Sequence, residues 1–338
     1  MKTNRQILLV FIAYVLFFSN NAFSQNQKEE IFKPSGKAYG KVFSNFHYQL
    51  FSDKQESAFA VDRAYFGYEY NLSSEFTVNL KLDIGSPNQD SQYDILKRYA
   101  YFKNAELIYT KDNLSLRFGL IDLYQFKVQE KFWGHRYVYK SLQDEHKFGS
   151  SADLGASLAY KFNDFISADL TVMNGEGYNQ LQSDNAYKTG LGLTLKPIKN
   201  LTARFYADYT EQDEIQTSLV AFLGYQLKKL GKIGVEYNYQ MNNKYKADQN
   251  IYGISTYASY NLNEKWELFG RYDKLWSNKL KGEENSWNLN KDGSAIIGGI
   301  QYSPHKKIKI AANYQDWYPS AKNLDNESYF YLNLEFKF

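Results

Sequence analysis

The chain has 338 residues, with 40 Lys and Arg against 37 Asp and Glu, a formal net charge of +3 and no cysteine. That near balance does not suggest a nucleic-acid partner, and the missing cysteines suit an exported chain that needs no disulfide. Aromatic residues make up 18% of the chain at a mean hydropathy of −0.58, and past the N-terminus no apolar run approaches the roughly 20 residues of a membrane helix.

The N-terminus fixes the expected compartment. Lys2 and Arg5 form a short positive region, Ile7 to Phe18 an apolar run, and Ala22-Phe23-Ser24 a small-residue site before Gln25. This three-part layout predicts a secretory signal peptide over residues 1–24, read by the Sec pathway and cleaved after Ser24. The apolar run is too short for a membrane anchor, which takes roughly 20 residues. No cysteine follows the cleavage point, so a lipid-anchored mature N-terminus is not expected. Residues 25–35 read as a short polar lead-in, expected in the periplasm.

From residue 36 to 338 the chain divides into segments of about ten residues with strict period-2 alternation. Apolar Phe76, Val78, Leu80, Leu82 and Ile84 alternate with Thr77, Asn79, Lys81 and Asp83. The same pattern recurs at 114–120, 166–172, 201–209, 233–240 and 308–315. It closes the chain, where Phe330, Leu332, Leu334, Phe336 and Phe338 alternate with Tyr331, Asn333, Glu335 and Lys337. Apolar residues dispersed singly in this way suit a wall with lipid on one side and water on the other. A final strand ending on Phe338 resembles the signal by which barrel-assembly machinery recognises outer-membrane barrels.

Connections alternate in length. Short turns fall at Asn71–Ser74, Lys111-Asp112, Asn163-Asp164, Pro197–Asn200, Lys228–Gly231, Asn261–Glu264 and Pro304–Lys306. Longer polar links lie near 86–97, 122–151, 175–186, 242–249, 277–291 and 319–326, while those near Asp53 and at Glu211–Glu214 are shorter than the pattern wants. The expected fold is all-β: a transmembrane up-and-down antiparallel β-barrel of about 16 strands, both termini in the periplasm and long loops outside. Closure is obligatory, because an unpaired backbone group in lipid costs several kcal/mol. Tyr68, Tyr70, Tyr160, Tyr260, Trp266, Tyr302 and Trp317, near strand ends, are expected to form interfacial girdles.

The longest link, 122–151, follows the fifth strand and is rich in aromatic and charged residues. It contains Glu130-Lys131-Phe132-Trp133-Gly134-His135-Arg136, then Lys140 and Asp144, and runs into Ser150-Ser151-Ala152-Asp153-Leu154-Gly155. These stretches, with Met173-Asn174-Gly175-Glu176-Gly177-Tyr178 and Arg63-Ala64-Tyr65, resemble the phosphate-selective porin O/P family of outer-membrane barrels. The specific part of the likeness spans roughly residues 117–178. The resemblance implies a sixteen-stranded, trimeric porin whose long loop folds inward and narrows the pore. It makes Glu130, Trp133, Arg136, Lys140 and Asp144 the candidate constriction residues.

Alternation places Arg63, Lys81, Arg117, Arg204 and Arg271 among the candidate pore-lining residues. Lys307 and Lys309 also face inward in this pattern, as do Asp83, Asp169, Asp208, Glu236, Glu267, Asp273 and Glu335. So mixed a ladder sets up a transverse field with little net potential, leaving size as the main filter. The expected function is passive diffusion of small hydrophilic solutes or ions, including anions such as phosphate. The alternative is a non-conducting barrel for adhesion, secretion or assembly. Catalysis is not expected: none of His47, His135, His146 and His305 lies beside a serine nucleophile motif. No cofactor or metal site is expected either. Acidic clusters such as Glu211, Asp213 and Glu214 read as solvated loop charges, since spacing alone is a weak calcium signal. Expected partners are outer-membrane lipid, the assembly machinery at Phe338, small polar solutes and two further copies of the chain.

Overall fold

The computed structural model describes residues 32–51, 56–85 and 99–338. The expected signal peptide, most of the lead-in and the link at 86–97 lie outside the described residues. The first five strands are β1 (Ser35–Leu50), β2 (Ser57–Asn71), β3 (Phe76–Gly85), β4 (Tyr99–Lys111) and β5 (Leu114–Asp122). After the long loop come β6 (Ala152–Lys161), β7 (Ile166–Met173), β8 (Lys188–Leu195), β9 (Leu201–Glu211), β10 (Ile215–Gln226) and β11 (Gly231–Met241). The barrel finishes with β12 (Ile251–Asn261), β13 (Trp266–Ser277), β14 (Gly293–His305), β15 (Ile308–Pro319) and β16 (Glu327–Lys337).

Each strand pairs antiparallel with its sequence neighbours, and β16 pairs back onto β1 to close the ring. The sixteen strands and the up-and-down order are those expected. At the seam the Phe338 amide donates to the Gly40 carbonyl at 3.1 Å. A Cβ on Gly40 would sit 2.3 Å from the Phe338 ring, so the bare glycine leaves room for the terminal aromatic.

The short turns share a local mechanism. Asn163 Oδ1 accepts from the amides of Phe165 and Ile166, and Asn263 Oδ1 from those of Lys265 and Trp266. Ser73 Oγ does the same for Glu75 and Phe76. A short polar side chain thus satisfies the backbone groups that the turn frees.

Alternation puts Leu80, Phe118, Leu191, Leu219, Ile233 and Leu332 on the outer face, where all remain exposed. Among the described residues the register shifts three times: once beside the β14–β15 turn, between Tyr302 and His305, and at two β-bulges within the wall. Phe43 pairs with Arg63 and Ser44 with Val61, which leaves Asp62 as an extra residue turned inward, where Asn45 Nδ2 donates to it at 2.7 Å. Lys81 pairs with Asn104 and Leu82 with Phe102, leaving Lys103 as the second extra residue. Lys103 is also turned inward and is 7% exposed. Each bulge adds one charge to the interior that simple alternation would not place there. One expected girdle residue is corrected: Trp317 shares the inward parity of Asn313 and Gln315 and packs against the His146 ring at 5.4 Å.

Candidate functional site

Residues 123–150 fold into the barrel. Helix α1 (Lys127–Trp133) ends at Gly134, whose φ of 74° is left-handed and whose amide donates to the Glu130 carbonyl. Glycine adopts that conformation without steric cost, so the chain reverses there. A second short helix, α2 (Leu142–Glu145), follows.

One side of the loop packs against the wall from β9 to β16. Trp133 is 1% exposed; its ring lies 5.3 Å from Tyr257 and 6.1 Å from Phe269, and its indole N–H donates to the Tyr139 carbonyl. Two wall glycines act as sockets. A Cβ on Gly253 would meet Leu142 at 2.6 Å, and one on Gly224 would meet Phe132 at 2.7 Å.

The buried loop backbone needs hydrogen-bond partners, and the wall supplies them. Seven wall side chains each donate to a loop carbonyl: Arg204 to Tyr124, Tyr257 to Gln129, Lys309 to Gly134, Asn333 to Tyr137, Gln315 to Val138, Arg271 to Lys140 and Gln240 to Phe148. The two arginines are also locked by carboxylates. Arg204 grips Asp169 at 2.7 and 3.0 Å, and Arg271 grips Asp273 at 2.6 and 2.8 Å. A planar guanidinium can do both at once, with a fork for the acid and a further N–H for the carbonyl. Arg204 and Arg271, selected as pore-lining candidates, therefore lie sealed between wall and loop. Trp133 is sealed with them.

The other side of the loop faces a passage of about 410 Å³ beside β1 to β5. Its lining includes Lys41, Lys81, Lys103, Lys127, Arg136 and Lys337, but only three acidic side chains, Asp122, Glu130 and Asp144. Arg136 reaches Glu130 at 3.0 Å and Asp144 at 2.8 Å, so three of the five constriction candidates meet on this face. Burial pushes the Glu130 carboxyl up, against the pull of Arg136. Lys140 stands at the edge, 3.5 Å from Glu145. Lys81 of the wall and Lys127 of the loop share Asp122 at 3.5 and 3.1 Å. Arg63 pairs with Asp83 at 2.6 Å and Arg117 with Glu106 at 3.2 Å.

A second loop packs onto Lys103, one of the residues that line the passage. Asp153 accepts from the amides of Gly175 at 2.9 Å and Gly177 at 3.0 Å, both glycines having positive φ. That pin turns Tyr178 inward, where its hydroxyl donates to Asp83 at 2.9 Å and its ring covers the Lys103 ammonium at 4.2 Å. The Ala-Asp-Leu-Gly and Asn-Gly-Glu-Gly-Tyr stretches, separate in sequence, thus form one unit. Sequence reasoning missed Lys103 because only strand pairing exposes a bulge. It missed Tyr178 as a lumen residue because its inward turn depends on Asp153.

No family model matches the chain, and no curated protein sequence matches it. Solved structures do. Salmonella typhi OmpF in complex with daunomycin superposes with a TM-score of 0.65 at 12% identity, covering 90% of this chain and 97% of that one. The outer membrane channel DcaP of Acinetobacter baumannii gives 0.64 at 11%, covering 93% and 100%. In-vitro folded OmpT, an outer membrane protein of Vibrio cholerae, in its trimer form gives 0.60 at 14%, covering 90% and 99%. At such identities the likeness is one of architecture: the chain has the closed sixteen-stranded barrel fold seen in these outer-membrane proteins.

Proposed function

We propose that the protein is a porin of the bacterial outer membrane, a passive diffusion channel for small hydrophilic solutes that favours anions. The carrying observation is the passage beside the loop, where six cationic side chains face three acidic ones. In a narrow lumen with low-dielectric walls, such an excess raises the local concentration of the opposite charge and repels like charge. Transport, not catalysis, is the activity assigned. The motif resemblance to the phosphate-selective porin O/P family makes phosphate the first solute to try. A homotrimer is the expected assembly, supported by the trimeric form of one architectural neighbour. Recognition of Phe338 by the assembly machinery and Sec export with cleavage after Ser24 complete the reading.

Planar-bilayer recording tests it. Stepwise conductance with a reversal potential on the anion side in a KCl gradient is expected, with phosphate reducing the chloride current. A silent barrel would favour the adhesion or secretion reading instead. Conductance with cation preference would retain the porin and reject the anion path.

A further inference from the structure

The barrel end that carries both termini and the short turns has an uneven charge. From the β2–β3 turn to the β6–β7 turn each lysine has a carboxylate beside it: Lys111 lies 3.1 Å from Glu75, and Lys161 lies 2.5 Å from Asp164. From the β8–β9 turn to the β14–β15 turn the balance disappears. Lys196 and Lys199, Lys228 and Lys229, Lys265, and Lys306 and Lys307 are all exposed, with Glu264 the one acidic residue in those turns. Among the described residues, none of these seven lysines forms an ion pair. At the opposite end the links are mixed: Glu283 and Glu284 stand near Lys279 and Lys281, and Asp213 and Glu214 have no lysine in their turn.

The same turns expose large apolar side chains. Ile198 is 60% exposed, Leu230 56%, Leu262 51% and Trp266 39%. Three turns in succession therefore present an apolar residue with one or two lysines. Adjacent lysines repel each other in water, and an exposed isoleucine or leucine gains nothing there. A layer with phosphates above an apolar interior satisfies both, the lysine stem lying along the apolar zone and the ammonium meeting phosphate. A soluble anionic polymer would reach the lysines but leave Ile198, Leu230 and Leu262 in water.

We infer that this arc, over the β8–β15 side of the barrel, is a binding collar for anionic phospholipid headgroups in the periplasmic leaflet. The inference rests on the outer-membrane placement proposed above. The collar would anchor one side of the barrel and leave the arc beneath β2 to β7, where each lysine is paired with an acid, without a lipid preference.

Trp266 reports on the collar directly. The protein is reconstituted into phosphatidylcholine vesicles containing either brominated phosphatidylglycerol or brominated phosphatidylcholine at equal mole fraction. Quenching is read as the difference between the wild type and Trp266→Phe. A preference for the anionic lipid of about fivefold or more is expected at low salt, the equivalent of a single lysine at an anionic surface. It should collapse toward unity in about 1 M salt, where the screening length is about 3 Å. It should also collapse in the combined variant Lys196→Gln, Lys199→Gln, Lys228→Gln, Lys229→Gln, Lys306→Gln and Lys307→Gln. Equal quenching of the wild type by the two lipids would overturn the collar, as would a preference indifferent to salt. The salt series needs no variant, so a folding defect in the six-site protein leaves the test intact. Trp266 untouched by either lipid would overturn the membrane placement, and the collar with it.

Discussion

The two halves of the interior wall use the same residue types for opposite ends. Behind the loop, Arg204 and Arg271 each meet a carboxylate and a backbone carbonyl, and their charge is consumed in holding the loop. Opposite it, Lys81 shares a single Asp122 with Lys127 of the loop, and Lys103 has Ser151 and the Tyr178 ring instead of an acid. An inward cationic side chain is thus a structural fastener on one side and part of the lining of the passage on the other. What separates the roles is whether the loop covers the residue.

The largest effect should come from cutting a fastener. In Arg271→Met, Asp273 is left as a buried lone carboxylate and the Lys140 carbonyl loses its donor. Breaking such a pair costs about 3–5 kcal/mol. Hydrogen exchange of amides 123–150 should accelerate and single-channel current become noisier; unchanged exchange would remove Arg271 as an anchor.

Next come the open-side charges. Lys81→Gln and Lys103→Gln should each lower anion conductance by up to about fivefold, taking about 1 kcal/mol for a charge 4 Å away in water-like surroundings. Arg136→Ala, which leaves Glu130 and Asp144 unopposed, should move the reversal potential toward cations. Arg204→Gln, on the covered side, should leave that potential in place. If Arg204→Gln shifts the potential as far as Arg136→Ala does, the division of the wall fails.

Acidification should have the smallest effect. Burial moves the imidazoles of His135 and His146 below their ordinary range, so the packed loop favours the neutral rings. The released loop would bind protons more readily than the packed one. Packing is therefore fully supported above about pH 6.5 and weakens as pH falls below it. Current noise should rise between pH 7 and pH 5, and less so in His146→Phe. An identical rise in that variant would exclude His146 from the effect.

The strands were legible because alternation is local: residues 76–84 or 330–338 declare a two-faced wall without reference to anything distant. The inward loop was legible from its length, its aromatic content and its family likeness. The charge character of the path was not. Counting the whole ladder pooled the charges behind the loop, Asp169, Asp208 and Asp273 among them, with those on the passage, and left out Lys103 and the loop's own cations. These acids are spent on Arg204, Lys188 and Arg271. Which charges cancel depends on where the loop lies, and Lys103 enters the path only through a one-residue shift between β3 and β4. Neither is a property of any short window of sequence.

The loop is gripped by seven of its own carbonyl oxygens, and every residue type carries that atom. Its side chains toward the passage can therefore be exchanged without loosening the grip. A lineage could retune what it admits at Glu130, Arg136 and Asp144 while the seven donors across the wall stay as they are.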